Sequence, residues 1–290
     1  MSSSSTTRRV GRSQAASPPV FDADDVSGST KIILSLSGDL LTEELVQTIS
    51  RQESGERLWW RNAKPLDVLV EYGVHVAAWH ARLEQAGLLV RAYHSTRAPD
   101  ITSFRQVGIK PLDVDELYER VRSKVLHPGS GYGLNDRAWC RFARWSASEH
   151  PVNARLRGAK GPFLFLSRRV MHDRVMTKPH LCGPEFEEGL FRLLETFCAQ
   201  EGLSHPEDYS PVLLRGTRGM ILRCEIPLCW LDDDSRSSVF REVGDTLFKN
   251  EAGAQAAGHY SERCLSLHET LPPEWIVEAE YVMEEAPETS

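Results

Sequence analysis

Apolar residues recur every three or four positions in several segments, the spacing that places them on one face of an α-helix. In the longest segment the pattern runs from Pro65 to Leu83, with Gly73 inside it and Gly87 after it as a C-cap. One long or kinked helix is therefore predicted there. The same spacing predicts helices over residues 42–49, 101–107, 114–125, 137–147 and 186–198.

Short apolar runs between these segments are typical of β-strands. Residues 31–37 form a β-like run, and residues 88–94 are predicted to be a core strand that carries His94 at its far end. Further strands are predicted over residues 161–167, 220–230 and 275–282, and residues alternate between two faces in the last of these. Because helices come early and strands late, the pattern favours an α+β fold.

The composition changes near both ends of the chain. Residues 1–29 are mostly Ser, Thr, Ala, Pro and Asp, with too few large side chains to offset the entropy of ordering them, so a disordered tail is predicted. Residues 285–290 form a short acidic tail. Between them we expect one α+β domain over residues 30–284, with a helical N-terminal subregion at residues 40–88.

Charge and cysteine usage narrow the class of protein. The 290 residues carry a formal net charge of -7 without a long Lys/Arg block, so no polyanion-binding surface is indicated. The six cysteines are scattered and are interpreted as reduced thiols. No stretch of 18 apolar residues occurs, which predicts no membrane contact and a cytoplasmic address. Secretion as an effector, or organelle import directed by the Ser/Arg-rich first 20 residues, is the alternative.

One segment combines candidate chemistry with a recognisable order of residues. It reads Ala92-Tyr-His-Ser-Thr-Arg97, and Val107-Gly-Ile-Lys-Pro111 follows after a short helical stretch. This order resembles the opening motif of the ADP-ribosyltransferase superfamily, in which a strand ends in His followed by a small or hydroxyl residue. The resemblance implies a mostly antiparallel split sheet and NAD as substrate, bound by four consecutive residues: His94, Ser95, Thr96 and Arg97.

Two later segments correspond to the other elements of that superfamily. The second element is a strand ending in Tyr or Ser/Thr that packs on nicotinamide, and here the tyrosine is absent, with Phe165 or Ser167 in its place. The third is a glutamate near the start of a late strand. The resemblance implies Glu274 as the catalytic carboxylate together with His94, and Glu278 and Glu269 are the alternatives.

The chemistry of NAD gives these residue types a reason. Cleavage of the nicotinamide-ribose bond develops positive charge on the ribose, which a fixed carboxylate stabilises more in the transition state than in the ground state. A neutral imidazole can hydrogen-bond a ribose hydroxyl without transferring a proton. The resemblance implies transfer of ADP-ribose to a protein or nucleic-acid acceptor, or to water, as in bacterial toxins and effectors. The oligomeric state remains open.

Two other classes of function remain open. One is a non-catalytic binding or regulatory protein with the same fold, for which the Trp59-Trp60 pair is a candidate partner contact. The other is a metal-dependent hydrolase built on His172, Asp173 and His180, although no second ligand pair occurs at zinc spacing and no metal is predicted. A Cys182 nucleophile with His180 as base lacks a third, orienting group.

Overall fold

A computed structural model describes residues 17–52, 65–149, 161–172, 185–251 and 263–282. The fold is α+β, as the sequence predicts, and its sheet is open and antiparallel apart from one short parallel strand. The strands are β1 (Val20–Phe21), β2 (Leu89–Ala98), β3 (Phe163–Phe165), β4 (Arg218–Pro227), β5 (Cys264–Ser266) and β6 (Ile276–Tyr281).

In chain order, the described helices all lie between β1 and β6. They are α1 (Val26–Ser37), α2 (Glu43–Gln52), α3 (Pro65–Glu71), α4 (Val76–Gln85), α5 (Thr102–Val107), α6 (Val114–Val125), α7 (Asp136–Glu149), α8 (Glu185–Glu201), α9 (Ser210–Leu213) and α10 (Asp233–Glu251). The helices predicted over 101–107, 114–125, 137–147 and 186–198 are confirmed as α5 to α8, and the segment 42–49 lies within α2 apart from its first residue.

The strand order across the sheet is β5-β3-β2-β4-β6, so β2 and β4 are central and pair along ten residues. The short strand β1 pairs in parallel with the start of β2, at Leu89 and Val90, whereas β3 pairs with β2 at Tyr93. Because β4 occupies the other edge of β2, β1 and β3 share one edge and lie end to end along it.

The apolar side chains form two large clusters. In the first, one face of β2 to β5 packs under α1 and α10, with Leu222 and Cys224 fully buried at its centre. The second lies among α6, α7, α8 and α9 and is rich in aromatic rings, such as Trp139, Phe142 and Phe197. Its helices occupy much of the chain between β2 and β4, so they form a helical insertion beside the sheet.

Two expectations for the N-terminal region are wrong. Residues 17–29 are not a disordered tail: Phe21 is fully buried in β1, and Asp25 caps α1 by accepting a hydrogen bond from the Gly28 amide. The run 31–37 is helix rather than strand. Its buried positions include Ser29, Ile33 and Ser37, at intervals of four, and the indole of Trp79 donates to Ser37 Oγ at 2.6 Å. A hydrophobicity pattern does not reveal this helix, because serines occupy two of the buried positions.

Smaller corrections concern breaks and strand lengths. The helix predicted from Pro65 to Leu83 is two helices, α3 and α4, because Gly73 adopts φ 86° between them. Strand β2 continues four residues beyond His94, to Ala98. In β6 a bulge near Val277 places Ile276 and Ala279 on the core side, so the regular alternation expected over 275–282 is broken. Helix α10 and strand β5 were not predicted.

Candidate functional site

The two faces of β2 differ in what covers them. Side chains alternate along a strand, and Val90, Ala92, His94 and Thr96 all point toward the helix-covered face. Val90 and Ala92 are fully buried in the large core, whereas His94 and Thr96 are only half-buried. His94 and Thr96 are therefore partly exposed between buried positions of the core face, since Ala98 further along the strand is again buried.

Strands β2 and β3 pair with each other over only a short length, next to His94. Within the described residues, the ladder joining these strands holds a single registered pair, Tyr93 with Phe165. Beyond it, the carbonyl oxygen of Phe163 is contacted by Nδ1 of His94 at 2.9 Å. The imidazole of His94 thus bridges the two strands where regular pairing between them stops.

This contact determines the chemical state of His94. A carbonyl oxygen can only accept, so Nδ1 must carry the proton, and Nε2 of the neutral ring is then left as an acceptor. Burial lowers the pKa of His94 below its ordinary value of 6.5, and the hydrogen bond to Phe163 partly opposes that shift. A neutral imidazole that offers Nε2 as an acceptor suits a hydroxyl donor such as that of a ribose.

The opposite face of the sheet carries a different set of groups. Tyr93, Phe165, Met171, Ile221 and Val282 form a small apolar cluster there. Beside it lies a groove of about 460 Å³. Its polar walls come from two ion pairs, Arg223 with Glu278 and Arg168 with Glu280.

Tyr93 forms part of the groove's lining. Burial, followed by the nearby Asp22 and Asp24 carboxylates, raises the pKa of the Tyr93 phenol to about 12. The phenol therefore stays protonated at neutral pH. We refer below to this side of the sheet as the groove face.

Strand alternation divides the NAD-binding residues implied by the resemblance. Ser95 and Phe165 lie on the groove face, opposite His94 and Thr96. Arg97 is 8% exposed, and its guanidinium donates to the carbonyl and hydroxyl oxygens of Thr217. Of the four consecutive residues, the structure therefore brings only His94 and Thr96 together on an accessible surface.

Ser167 has a structural partner. It is 1% exposed, and its hydroxyl donates to Asp24 at 2.5 Å. Its side chain is therefore engaged with the N-terminal segment rather than directed toward His94. Asp24 was missed because it falls within the segment interpreted as a tail, and no local pattern distinguishes it from its acidic neighbours.

The structure does not bring Glu274 beside His94. Glu274 is exposed on the 3-10 turn that precedes β6, whose first residue, Ile276, pairs with Cys224. His94 pairs with Leu222 instead, so strand spacing places the Cα atoms of His94 and Ile276 roughly 12 Å apart, with Glu274 beyond Ile276.

The alternative glutamates differ in position. Glu278 lies on the groove face and pairs with Arg223 at 2.6 Å. Glu269 is exposed in the connection between β5 and β6, three residues after Ser266, which pairs with Phe163. Of the three glutamates, only Glu269 follows directly on β5, the strand that pairs with Phe163, whose carbonyl contacts His94.

Several candidates lie outside the part of the chain that the structure describes. These are Trp59, Trp60, Asp173, His180 and Cys182, and the side chain of His172 is not described either. Among the described residues, no group of three or more His, Cys, Asp or Glu side chains is arranged to hold a metal ion. No described helix has both the length and the apolar character needed to cross a membrane.

Comparison with known proteins adds no family assignment, since no family model, no curated protein and no solved structure matches this chain.

Proposed function

We propose that the protein is an ADP-ribosyltransferase-like enzyme that binds NAD at His94 and Thr96, cleaves its nicotinamide-ribose bond, and transfers ADP-ribose to a macromolecule or to water. The observation that carries the proposal is the half-buried His94 imidazole at the parting of β2 and β3. The β2–β3 ladder ends next to the histidine of the sequence motif, which supports a split sheet of the ADP-ribosyltransferase type.

The state of His94 supports a positioning role. Its Nδ1–H is committed to the Phe163 carbonyl, so Nε2 can accept a hydrogen bond from a ribose hydroxyl while the ring orientation stays fixed. Thr96 lies two residues further on the same face and offers a hydroxyl to the same ligand. The half-burial of both groups strengthens their hydrogen bonds relative to those of fully solvated side chains.

The geometry changes which residues the proposal includes. Ser95, Arg97, Phe165 and Ser167 are removed from direct contact with the ligand because they face the groove or are engaged elsewhere. Glu269 replaces Glu274 as the first carboxylate to test, because its segment begins at the strand that pairs with Phe163. Glu269→Gln is therefore expected to lower the rate of nicotinamide release in the experiment that follows.

The decisive experiment measures nicotinamide release from NAD by the purified full-length chain, with cell lysate supplied as a source of acceptors. His94→Ala is expected to lower the rate by at least about 100-fold, because the ribose loses its positioning contact. Thr96→Val keeps the shape of the side chain and removes one hydrogen bond, so a loss of about tenfold is expected.

Two control variants test the face assignment. Ser95→Ala changes a neighbouring hydroxyl on the opposite face, and Glu274→Gln changes the distant carboxylate. Both are expected to retain the wild-type rate. Equal losses in Ser95→Ala and Thr96→Val would contradict the face assignment. If the wild-type chain neither releases nicotinamide nor shows an NAD-dependent rise in melting temperature, the enzymatic proposal fails and a non-catalytic binding protein becomes the better description.

A further inference from the structure

The N-terminal segment is hydrogen-bonded to the residues that follow β3 through the carboxylate of Asp24. Asp24 Oδ1 accepts the hydroxyl hydrogen of Ser167 at 2.5 Å, and Asp24 Oδ2 accepts the backbone N–H of Arg168 at 2.6 Å. Ser167 Oγ in turn accepts the N–H of Arg169. A single side chain therefore satisfies both the buried hydroxyl and the first amide of the 3-10 turn that follows β3.

The position of this contact follows from the sheet. Strand β1 runs parallel to β2, and β3 runs antiparallel to it along the same edge, so the two short strands point toward each other. Asp24 comes three residues after the end of β1, and Ser167 comes two residues after the end of β3. Asp24 and Ser167 thus join the two strands where they converge.

Other contacts hold this segment in place. Asp22 pairs with Arg91 of β2 at 2.7 Å, and its carboxylate also accepts the amide of Asp24 at 3.0 Å. Ser29 of α1 exchanges two hydrogen bonds with the backbone of Asp22. The carboxylate of Asp24 is therefore presented from a fixed loop, and its side chain is only 20% exposed.

Strand β3 pairs along all three of its residues with β5, but its pairing with β2 is short. It spans three residues and has one registered pair with β2, yet its Phe163 carbonyl must stay within hydrogen-bond distance of His94. We propose that Asp24 is a positioning residue: by clamping Ser167 and Arg168 it holds β3 in place, and β3 through Phe163 fixes the orientation and tautomer of His94. The catalytic consequence rests on the proposed function, whereas the clamp itself does not.

The test compares Asp24→Ala with Asp25→Ala in the full-length chain. Asp25 is the adjacent carboxylate and caps α1 by accepting the Gly28 amide at 3.0 Å, so its loss also removes a cap from the segment but does not affect β3. Hydrogen exchange of the Arg168 amide is expected to be at least about tenfold faster in Asp24→Ala and unchanged in Asp25→Ala. Asp24→Asn preserves the shape and one acceptor oxygen, and it serves as the test if the alanine variant does not fold.

Two further readouts separate positioning from general destabilisation. Nitrogen NMR of the imidazoles should report a single Nδ1–H tautomer for His94 in the wild type and in Asp25→Ala, and a mixture of tautomers in Asp24→Ala. The kcat for nicotinamide release should fall about tenfold in Asp24→Ala, equivalent to the loss of one hydrogen bond at the site. Asp24→Asn should restore part of that loss.

The outcomes distinguish this inference from the proposed function. An unchanged His94 signal and unchanged exchange at Arg168 in both Asp24 variants would overturn the inference even if the wild type cleaves NAD. If the wild type does not cleave NAD, the proposed function fails, and the exchange and NMR results still decide whether Asp24 positions β3 and His94. Equal effects of Asp24→Ala and Asp25→Ala would reduce the clamp to a general stabilising contact.

Discussion

The two faces of the central strands β2 and β4 are held by different forces. On the core face, Ala92, Leu222 and Cys224 are completely buried against helices. On the groove face, β2, β4 and β6 carry ion pairs between neighbouring strands, such as Arg91 with Glu225 and Arg223 with Glu278, whose side chains stay partly exposed. Apolar burial should therefore dominate stability on one face, while the pairs on the other should contribute far less.

The candidate site lies on the core face, where His94 and Thr96 are only partly buried. A residue there can use the low dielectric of the core edge while remaining accessible to a ligand. The groove face offers an open volume of about 460 Å³, but its charged side chains pair with one another. The difference shows that the most open part of a sheet need not be the part that carries side chains able to bind a ligand.

The largest expected effect compares neighbouring residues on the two faces. Leu222→Ala should lower the free energy of unfolding by about 3 kcal/mol or more, because it leaves a cavity in the large core. Ile221→Ala should cost about half as much, since Ile221 packs in the small cluster with Tyr93 and Met171. Urea denaturation of both variants measures the difference, and equal losses would show that the groove face is as well packed as the core face.

A smaller effect concerns His80, in the helical layer over the core face. Its ring stacks on Phe240, and its Nε2 is buried without a hydrogen-bond partner among the described residues. Burial lowers the pKa of His80 from 6.5 to about 4. As the pH falls, His80 is therefore protonated in the unfolded chain before it is protonated in the folded protein. The stability conferred by the neutral ring is present above pH 6.5 and is lost as the pH falls toward 4.

The size of that pH effect is on the order of 1 to 2 kcal/mol, after discounting the full pKa shift for the partial exposure of the ring. His80→Phe keeps an aromatic ring against Phe240 and removes the titration. Chemical denaturation at pH 7.5 and 5 should show a smaller loss of stability on acidification for the variant than for the wild type. Parallel losses in the two proteins would exclude His80 as the cause.

The smallest expected effect is on the groove face. Glu278→Gln removes the charge that pairs with Arg223 at 2.6 Å, but the two side chains are 56% and 37% exposed. The expected loss of stability is below about 1 kcal/mol, and it should shrink further in 0.5 M salt as the pair is screened. A loss that exceeds this value and persists in high salt would mean that the ion pairs are a main support of the sheet.

Local patterns predicted the elements whose own residues carry a clear period. Strand β4 and helices α6 and α8 were identified because their apolar residues recur at the spacing of strand or helix. The same patterns failed for α1, where buried serines take apolar positions, and for β1, which is two residues long. These elements are stabilised by contacts with neighbouring elements, and the residue pattern within one segment does not reveal such contacts.

The candidate site was predicted in the same partial way. The motif around His94 drew attention to β2, and that strand is central to the sheet. Which neighbours share the face of His94 was not predictable, because it depends on β2 continuing through Thr96 and on how completely other elements cover each residue of that face. The structure places Glu274 away from His94, a separation that motif order alone does not predict.

The sequence by itself determined the α+β class, most of the helices and longer strands, and the strand that carries His94. Only the tertiary structure decided that His94 and Thr96 share an accessible face, that the Phe163 carbonyl sets the tautomer of His94, and that Asp24 holds the end of β3. The physical reason is range. Periodicity and capping depend on residues a few positions apart, whereas these contacts join residues 69 and 143 positions apart, which only the packing of the sheet brings together.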